Sequence, residues 1–524
     1  MTTDFNHSML HFFLKKWEKY HIPLLAALVA GFLAHFMAFT NKLTNHDDVF
    51  NLFSKGASAS SGRWGLDILS FVLPDFSMPW IYGVITLILI ASAGCVMLRV
   101  LDIHNKILQI LLMALLVTYP SLTSVYTYMF TSSSYGVAFF LSVLSVYQWV
   151  FQASYKKLFA FPMLIFSLSV YQPYLTVAAS LFMICLVKQI LNKDTSSRSI
   201  WLQGLSYFAF LMISLILYYS SIYAVFSLFQ IQFNSYASEN LLLDINTLLQ
   251  RLIDTYYTFI YFFTRGYHGI LNTSLMRILH LFLIILGVIL LVLRFHRHPS
   301  ISKALLLSLC IALFPLSINC IYLIANPNSI HTLVVYSFVN IYFLIALVLD
   351  DCSTEFTYAK TKLLEYFLPK LCRQIAIPCL LAVIISNVYL ANEVYLKVQL
   401  SYENTYAFYS VLCSEIVNHP DFDRNTKVAI IGSITDNPIV DPVSDYDEFE
   451  SVSIMGSDGI GIHSYSRQDF VRFYLGFNIL FAEEEQIKEI KQTSSFATMS
   501  SYPYYGSIQK IDNFLVVKLS DPEL

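Results

Sequence analysis

Residues 79–98 read PWIYGVITLILIASAGCVML, twenty positions with no charged side chain and with apolar residues all round a helix. A soluble surface helix confines its apolar residues to a stripe. A bilayer core takes roughly twenty apolar residues per crossing, so this stretch reads as a membrane span. Outward from it, similar runs centre near 22–39, 107–125, 135–151, 158–172, 174–187, 204–229, 270–293, 304–325, 332–349 and 374–391, giving about eleven transmembrane helices. Tyr119-Pro120 and Gln172-Pro173 interrupt the runs between 107 and 191. The first run ends in Ala34-His35-Phe36, which lacks a small-x-small cleavage site, so it reads as retained.

Composition agrees: 56% of the 524 residues are hydrophobic and 13% are charged, against roughly 25% charged in soluble domains. The charges divide the chain in two. Residues 1–391 carry 23 Lys/Arg against 15 Asp/Glu, whereas residues 392–524 carry 9 against 20. The expected organisation is a polytopic domain, 1–391, followed by a water-facing acidic domain, 392–524. An acidic tail is a poor ligand for a phosphate backbone, which argues against nucleic acid as a partner.

Lys and Arg in the short loops orient the chain. With the N-terminus cytoplasmic, Lys15, Lys16, Lys19, Arg99, Lys106, Lys156, Lys157, Lys188, Lys193, Arg198, Arg294, Arg297, Lys303, Lys360, Lys362, Lys370 and Arg373 fall inside. The other face receives only Lys42, Lys55, Arg63, Arg251, Arg265 and Arg277 before the tail. An odd number of crossings then exports the loops 40–78 and 230–269 and the tail.

The tail reads as a small α/β extracytoplasmic domain. A helix is expected over 401–418, strands at Lys427–Gly432 and Phe514–Lys518, and short helices at Asp469–Ile479 and Glu483–Lys491. Gly456-Ser-Asp-Gly459-Ile-Gly461 is not set between a strand and a helix, so it reads as a loop rather than a nucleotide cradle. Of eight cysteines only Cys413 lies in the tail, so no disulfide framework is expected. Walker, dinucleotide, heme-attachment and HExxH patterns do not occur, which leaves ATP-driven pumping and redox chemistry without their usual parts.

The densest polar cluster on the exported side is Asn45-His46-Asp47-Asp48, followed by Ser61-Gly62-Arg63-Trp64. Adjacent carboxylates just outside a membrane helix admit three readings: a solvated loop, a site for a divalent cation, or an acid/base pair. Arg63 offers a fork suited to phosphate oxygens, and Trp64 a flat face on which a sugar can lie. Carboxylate, arginine and aromatic together suit a glycosyl phosphate donor.

These residues, with Tyr171-Gln172 at another exported helix end, resemble the Gtr-type glucosyltransferases that modify O-antigen in Gram-negative bacteria. The tail, from Asn392-Glu-Val-Tyr395 to Tyr502-Pro503 and Val516-Val517-Lys518, is similar too, so the resemblance spans nearly the whole chain. It implies a multi-pass bacterial inner-membrane enzyme of the lipid-donor (GT-C-like) fold class, with its C-terminal domain periplasmic. The implied reaction moves glucose from undecaprenyl phosphate glucose to the lipid-linked polysaccharide by direct displacement, with an acidic residue of the first exported loop as base. That places Asp47 and Asp48 as the catalytic pair, Asp47 the favoured base. Expected substrate contacts are His46, Arg63, Trp64, Tyr171, Gln172, Arg265, His331 and Lys518.

Each of these residues has a plainer reading. Arg265 is an interfacial anchor or a phosphate ligand, Tyr171 and Gln172 are capping or substrate groups, and Lys518 is a solvated lysine or a group reaching back over the bundle. Two rival functions compete: a transporter or flippase of a lipid-linked sugar, and a non-catalytic envelope assembly protein. A transporter calls for mid-membrane ionisable residues and repeated halves; the first are scarce in the sequence and no internal duplication is evident.

Overall fold

The computed structural model of the chain describes residues 18–43, 45–54, 56, 59–74, 76–233, 247–264, 274–296, 299–323, 332–355, 363–433 and 462–521. In chain order the helices up to the tail sheet are α1 (His21–Thr40), α2 (His46–Phe50), α3 (Trp64–Ser70), α4 (Pro79–Leu101), α5 (Lys106–Thr118), α6 (Pro120–Thr127), α7 (Met129–Phe151), α8 (Ala160–Val170), α9 (Leu175–Leu191), α10 (Ser197–Phe229), α11 (Leu248–Thr264), α12 (Ser274–Phe295), α13 (Ile301–Asn319), α14 (Asn340–Glu355) and α15 (Leu363–Val417), and short helices at Glu484–Lys491 and Ser494–Ala497 lie within the tail. Ten helical segments among the described residues are long and apolar enough to cross a membrane. The segment expected at 158–172 is not among them, because α8 spans 11 residues before the extended Tyr171 and Pro173 stop it.

The helix ends sort into two groups. At one, Asp350 accepts from the backbone N–H of His104 and Asn105, both at 2.7 Å, Lys106 Nζ donates to Lys19 O, and Lys303 Nζ donates to Asn192 O. At the other, Asp48 accepts from Phe130 N, and Gly65 packs against Ser169 and Val170 so closely that any Cβ there would collide. Although short, α8 therefore brings the chain back to the Asp48 end, where α9 begins. The Tyr119-Pro120 interruption is a junction in one segment: α5 stops at Thr118, and Pro120 starts α6, where its missing N–H costs nothing.

Buried polar ties pin the bundle together. His35 on α1 bonds Tyr395 Oη of α15 at 2.7 Å and Val117 O of α5 at 2.8 Å, and Tyr336 Oη donates to Leu116 O. Within an apolar surround such bonds fix register between helices. One helix in the loop 230–269 has no counterpart in the sequence reading. This is α11, which exposes Leu249, Ile253, Tyr257 and Ile260 at helical spacing and is tied to α13 by Asn319, whose Nδ2 donates to Thr255 O at 3.1 Å and Thr258 Oγ1 at 3.0 Å.

The helix expected at 401–418 is the end of α15, which runs unbroken from the bundle through position 392. Beyond it the tail builds a four-stranded sheet from β1 (Lys427–Ile431), β2 (Leu480–Phe481), β3 (Ile508–Ile511) and β4 (Phe514–Lys518), in the order β2-β1-β4-β3. β1 pairs parallel to β2 and β4, and β3 pairs antiparallel to β4. Alternate residues of the central strands enter two cores. Val428, Ile430, Leu515 and Val517 pack on α15 residues Tyr409, Leu412 and Ile416; Ala429, Ile431 and Val516 pack on Ile490, Phe496 and Met499. The helix expected from Asp469 is a short turn at Arg467–Asp469 continued as a π turn to Tyr474, with Gly476 ending it at positive φ. The glycine-rich stretch 456–461 lies outside the described residues.

Candidate active site

Asn45 starts α2 as its cap: its side chain accepts from Asp48 N at 2.8 Å and donates to Thr127 O at 2.7 Å. Successive residues on a helix point about 100° apart, so Asp47 and Asp48 diverge. Asp48 is fully buried. Its Oδ2 pairs with Lys42 Nζ, and its Oδ1 accepts from Ser77 Oγ at 2.9 Å and Phe130 N at 3.0 Å. Burial pulls the Lys42 ammonium down, to about 7. Asp48 thus ties the loop after α1 to the head of α7. Asp47 faces outward with 38% of its side chain exposed.

The two carboxylates, expected as a catalytic pair, thus face different surroundings. Among the described residues no group of three acidic, His or Cys side chains is placed to hold a metal ion.

The tail closes over α2. Val49 is enclosed in the tail core with Tyr409, Phe470 and Leu515. The His46 ring meets His463 edge to face at 4.3 Å, Phe50 meets Tyr465 at 5.5 Å, and Phe53 meets Phe473 at 5.1 Å. Tyr465 Oη donates to Asp47 Oδ1 at 2.6 Å. Burial, the largest cause, pushes the Tyr465 hydroxyl well up and the neighbouring Asp47 charge adds to it, so it remains a donor. Burial also pulls His46 down, to about 4, which leaves its ring neutral at neutral pH. His46 Nδ1 is buried without a hydrogen-bond partner among the described residues.

A second cluster brings together three of the expected substrate contacts. Gly62 adopts φ of 74°, a left-handed turn that suits glycine, and delivers Arg63 to the start of α3. The Arg63 guanidinium lies 5.8 Å from the centre of the Tyr171 ring, which itself stacks on Tyr135 at 4.3 Å. Gln172 Nε2 donates to Tyr218 Oη at 2.9 Å, and Tyr218 Oη donates to Gly62 O at 3.0 Å, so α10 holds this turn in place. Tyr135 and Phe130 sit on the same stretch of α7, which links the cluster to Asp48. Between them the hydroxyls of Thr131, Ser133 and Ser134 are buried without hydrogen-bond partners among the described residues, an arrangement that suits water or a polyhydroxyl ligand.

Two expected substrate contacts are engaged elsewhere in the structure. Trp64 does not offer an open face: its Nε1 donates to Ser221 Oγ at 3.0 Å and its ring packs on Phe166. Lys518 is buried within the tail, donating to Met499 O at 3.0 Å, paired with Asp521 at 2.7 Å and set over the Phe496 ring, so it does not reach the bundle. Arg265 and His331 lie outside the described residues. Sequence reasoning missed Lys42, Ser77, His463, Tyr465 and Tyr218. Lys42, six residues before Asp48, was the one local signal available.

A polar loop folded onto one end of a multi-span helical bundle, with a partly exposed carboxylate and an arginine set over an aromatic ring, is an arrangement compatible with a membrane glycosyltransferase. The profile of the family described as glucosyl transferase GtrII matches residues 36–342, more than half of the sequence, and the chain belongs to that family. Comparison with curated proteins and with solved structures gives no match.

Proposed function

We propose that the protein transfers glucose from undecaprenyl phosphate glucose to O-antigen, or a related lipid-linked surface polysaccharide, at the periplasmic face of the bacterial inner membrane. The observation that carries this reading is the separation of Asp47 from Asp48 in a member of this family. One carboxylate is consumed in holding the loop, and the other, partly exposed, lies at the same end of the bundle as Arg63. Asp47 takes the proton of the acceptor hydroxyl as that oxygen bonds to the anomeric carbon. The bond from that carbon to the lipid phosphate breaks, and the phosphate leaves with the electron pair toward Arg63, whose planar fork suits its oxygens. A single displacement inverts the anomeric centre.

The Lys/Arg bias and the return of α8 to the Asp48 end support eleven crossings, a cytoplasmic N-terminus and a periplasmic tail from residue 392 onward. The test supplies purified protein with labelled undecaprenyl phosphate glucose and an O-antigen acceptor. The expected result is acceptor-dependent release of lipid phosphate and a product of inverted configuration. Movement of the lipid-linked sugar across the bilayer without release would identify a transporter instead.

A further inference from the structure

Tyr465 is 418 residues from Asp47 in sequence, yet among the described residues it is the side chain whose donor meets the Asp47 carboxylate. Its ring is fixed on three sides, stacked on His463 at 5.3 Å and set edge-on to Phe50 at 5.5 Å and to His46 at 6.2 Å. The other nearby candidate, His46 Nε2, is 3.8 Å from Asp47 Oδ1, beyond hydrogen-bond range. Asn51 Nδ2 reaches only the Asp47 backbone carbonyl, and Lys42 is turned to Asp48. A carboxylate on a partly exposed side chain samples several rotamers, whereas one oxygen held by a rigid phenol leaves the other aimed in one direction.

We propose that Tyr465 is a positioning residue for Asp47. It holds Oδ1 so that Oδ2 receives the acceptor proton, and the tail is thereby a working part of the active site. This inference rests on Asp47 being the base. The packing supports it independently of the hydrogen bond, because Val49, two residues from Asp47, is fully buried in the tail's own core. The tail therefore cannot shift without moving α2.

The test uses the purified full-length protein and steady-state transfer kinetics. Tyr465→Phe removes the hydroxyl and keeps the ring contacts. It is expected to lower kcat by roughly tenfold, the scale of a hydrogen bond to a charged group, with KM for donor and acceptor unchanged. Because the hydroxyl acts through Asp47, the double variant Asp47→Asn/Tyr465→Phe is expected to be no slower than Asp47→Asn alone. A wild-type kcat for Tyr465→Phe, beside a crippled Asp47→Asn, overturns the inference and leaves the base reading standing. Equal losses from Tyr465→Phe in both backgrounds would show a merely structural effect and also overturn it. Near wild-type turnover by Asp47→Asn removes the base and the inference together. Limited proteolysis of each variant verifies that the tail is still docked.

Discussion

Asp47 and Asp48 are neighbours whose carboxylates face opposite surroundings: Asp48 is sealed against Lys42, Ser77 and the head of α7, and Asp47 lies under the tail with Tyr465 on one oxygen. Substitutions at the two positions should therefore give two different defects.

Asp47→Asn keeps the shape and removes the proton acceptor, so turnover should drop by roughly a hundred- to ten-thousand-fold with normal insertion and thermal stability. Asp48→Ala leaves Lys42 without its counter-charge and two donors unpaired. Breaking a buried pair costs about 3–5 kcal/mol, so this variant should melt early in detergent. Replacing both members, Lys42→Met with Asp48→Leu, should recover part of that loss. Thermal unfolding beside transfer kinetics separates the two roles.

Arg63→Lys keeps the charge but loses the planar fork and the stacking on Tyr171. KM for the lipid donor should rise while KM for the acceptor stays put. Tyr218→Phe breaks the chain from Gln172 to Gly62 and should cost about 1 kcal/mol of stability, with a milder rise in the same KM.

His46 stays neutral down to about 4 in the folded protein, against an ordinary value of 6.5. Between those values the unfolded chain binds more protons, so stability is full above 6.5 and is lost as the pH falls toward 4. Proteolytic release of the tail should accelerate over that window. His46→Gln, which has no proton to gain, should flatten the dependence.

A reporter active only in the periplasm should work when fused after Leu400 and fail after Lys303. Activity from the Lys303 fusion would reverse the orientation.

Much of the bundle was legible because a span needs only composition and length, which are local. The segment at 158–172 and α11 were harder: a proline break shortens one, and the other shows an apolar face to its surroundings and polar ties to α13 through Asn319 and Tyr256, neither of which hydropathy registers. The turn 61–63 and Tyr171-Gln172 were legible by their order along the chain, and they do meet. The divergence of Asp47 and Asp48 was available from Asn45, whose capping habit implies a helix on which adjacent residues do not share a face. Trp64 and Lys518 misled because a residue type suggests chemistry while the partner that occupies it, Ser221 or Met499, is fixed only by folding. Nothing local could connect Tyr465 to Asp47.

The uninterrupted α15 makes the position of the tail a matter of counting. From Cys379 to Val417 it contains neither proline nor glycine. Each residue of such a helix advances its far end about 1.5 Å and turns it by about 100°. One residue inserted near 400 would swing the tail about a quarter turn and carry Tyr465 away from Asp47. Four would nearly restore the angle but lift the tail by about 6 Å. This helix therefore works as a gauge, setting both the height and the bearing at which the tail meets the loop, and its length is under the same constraint as the residues it aligns.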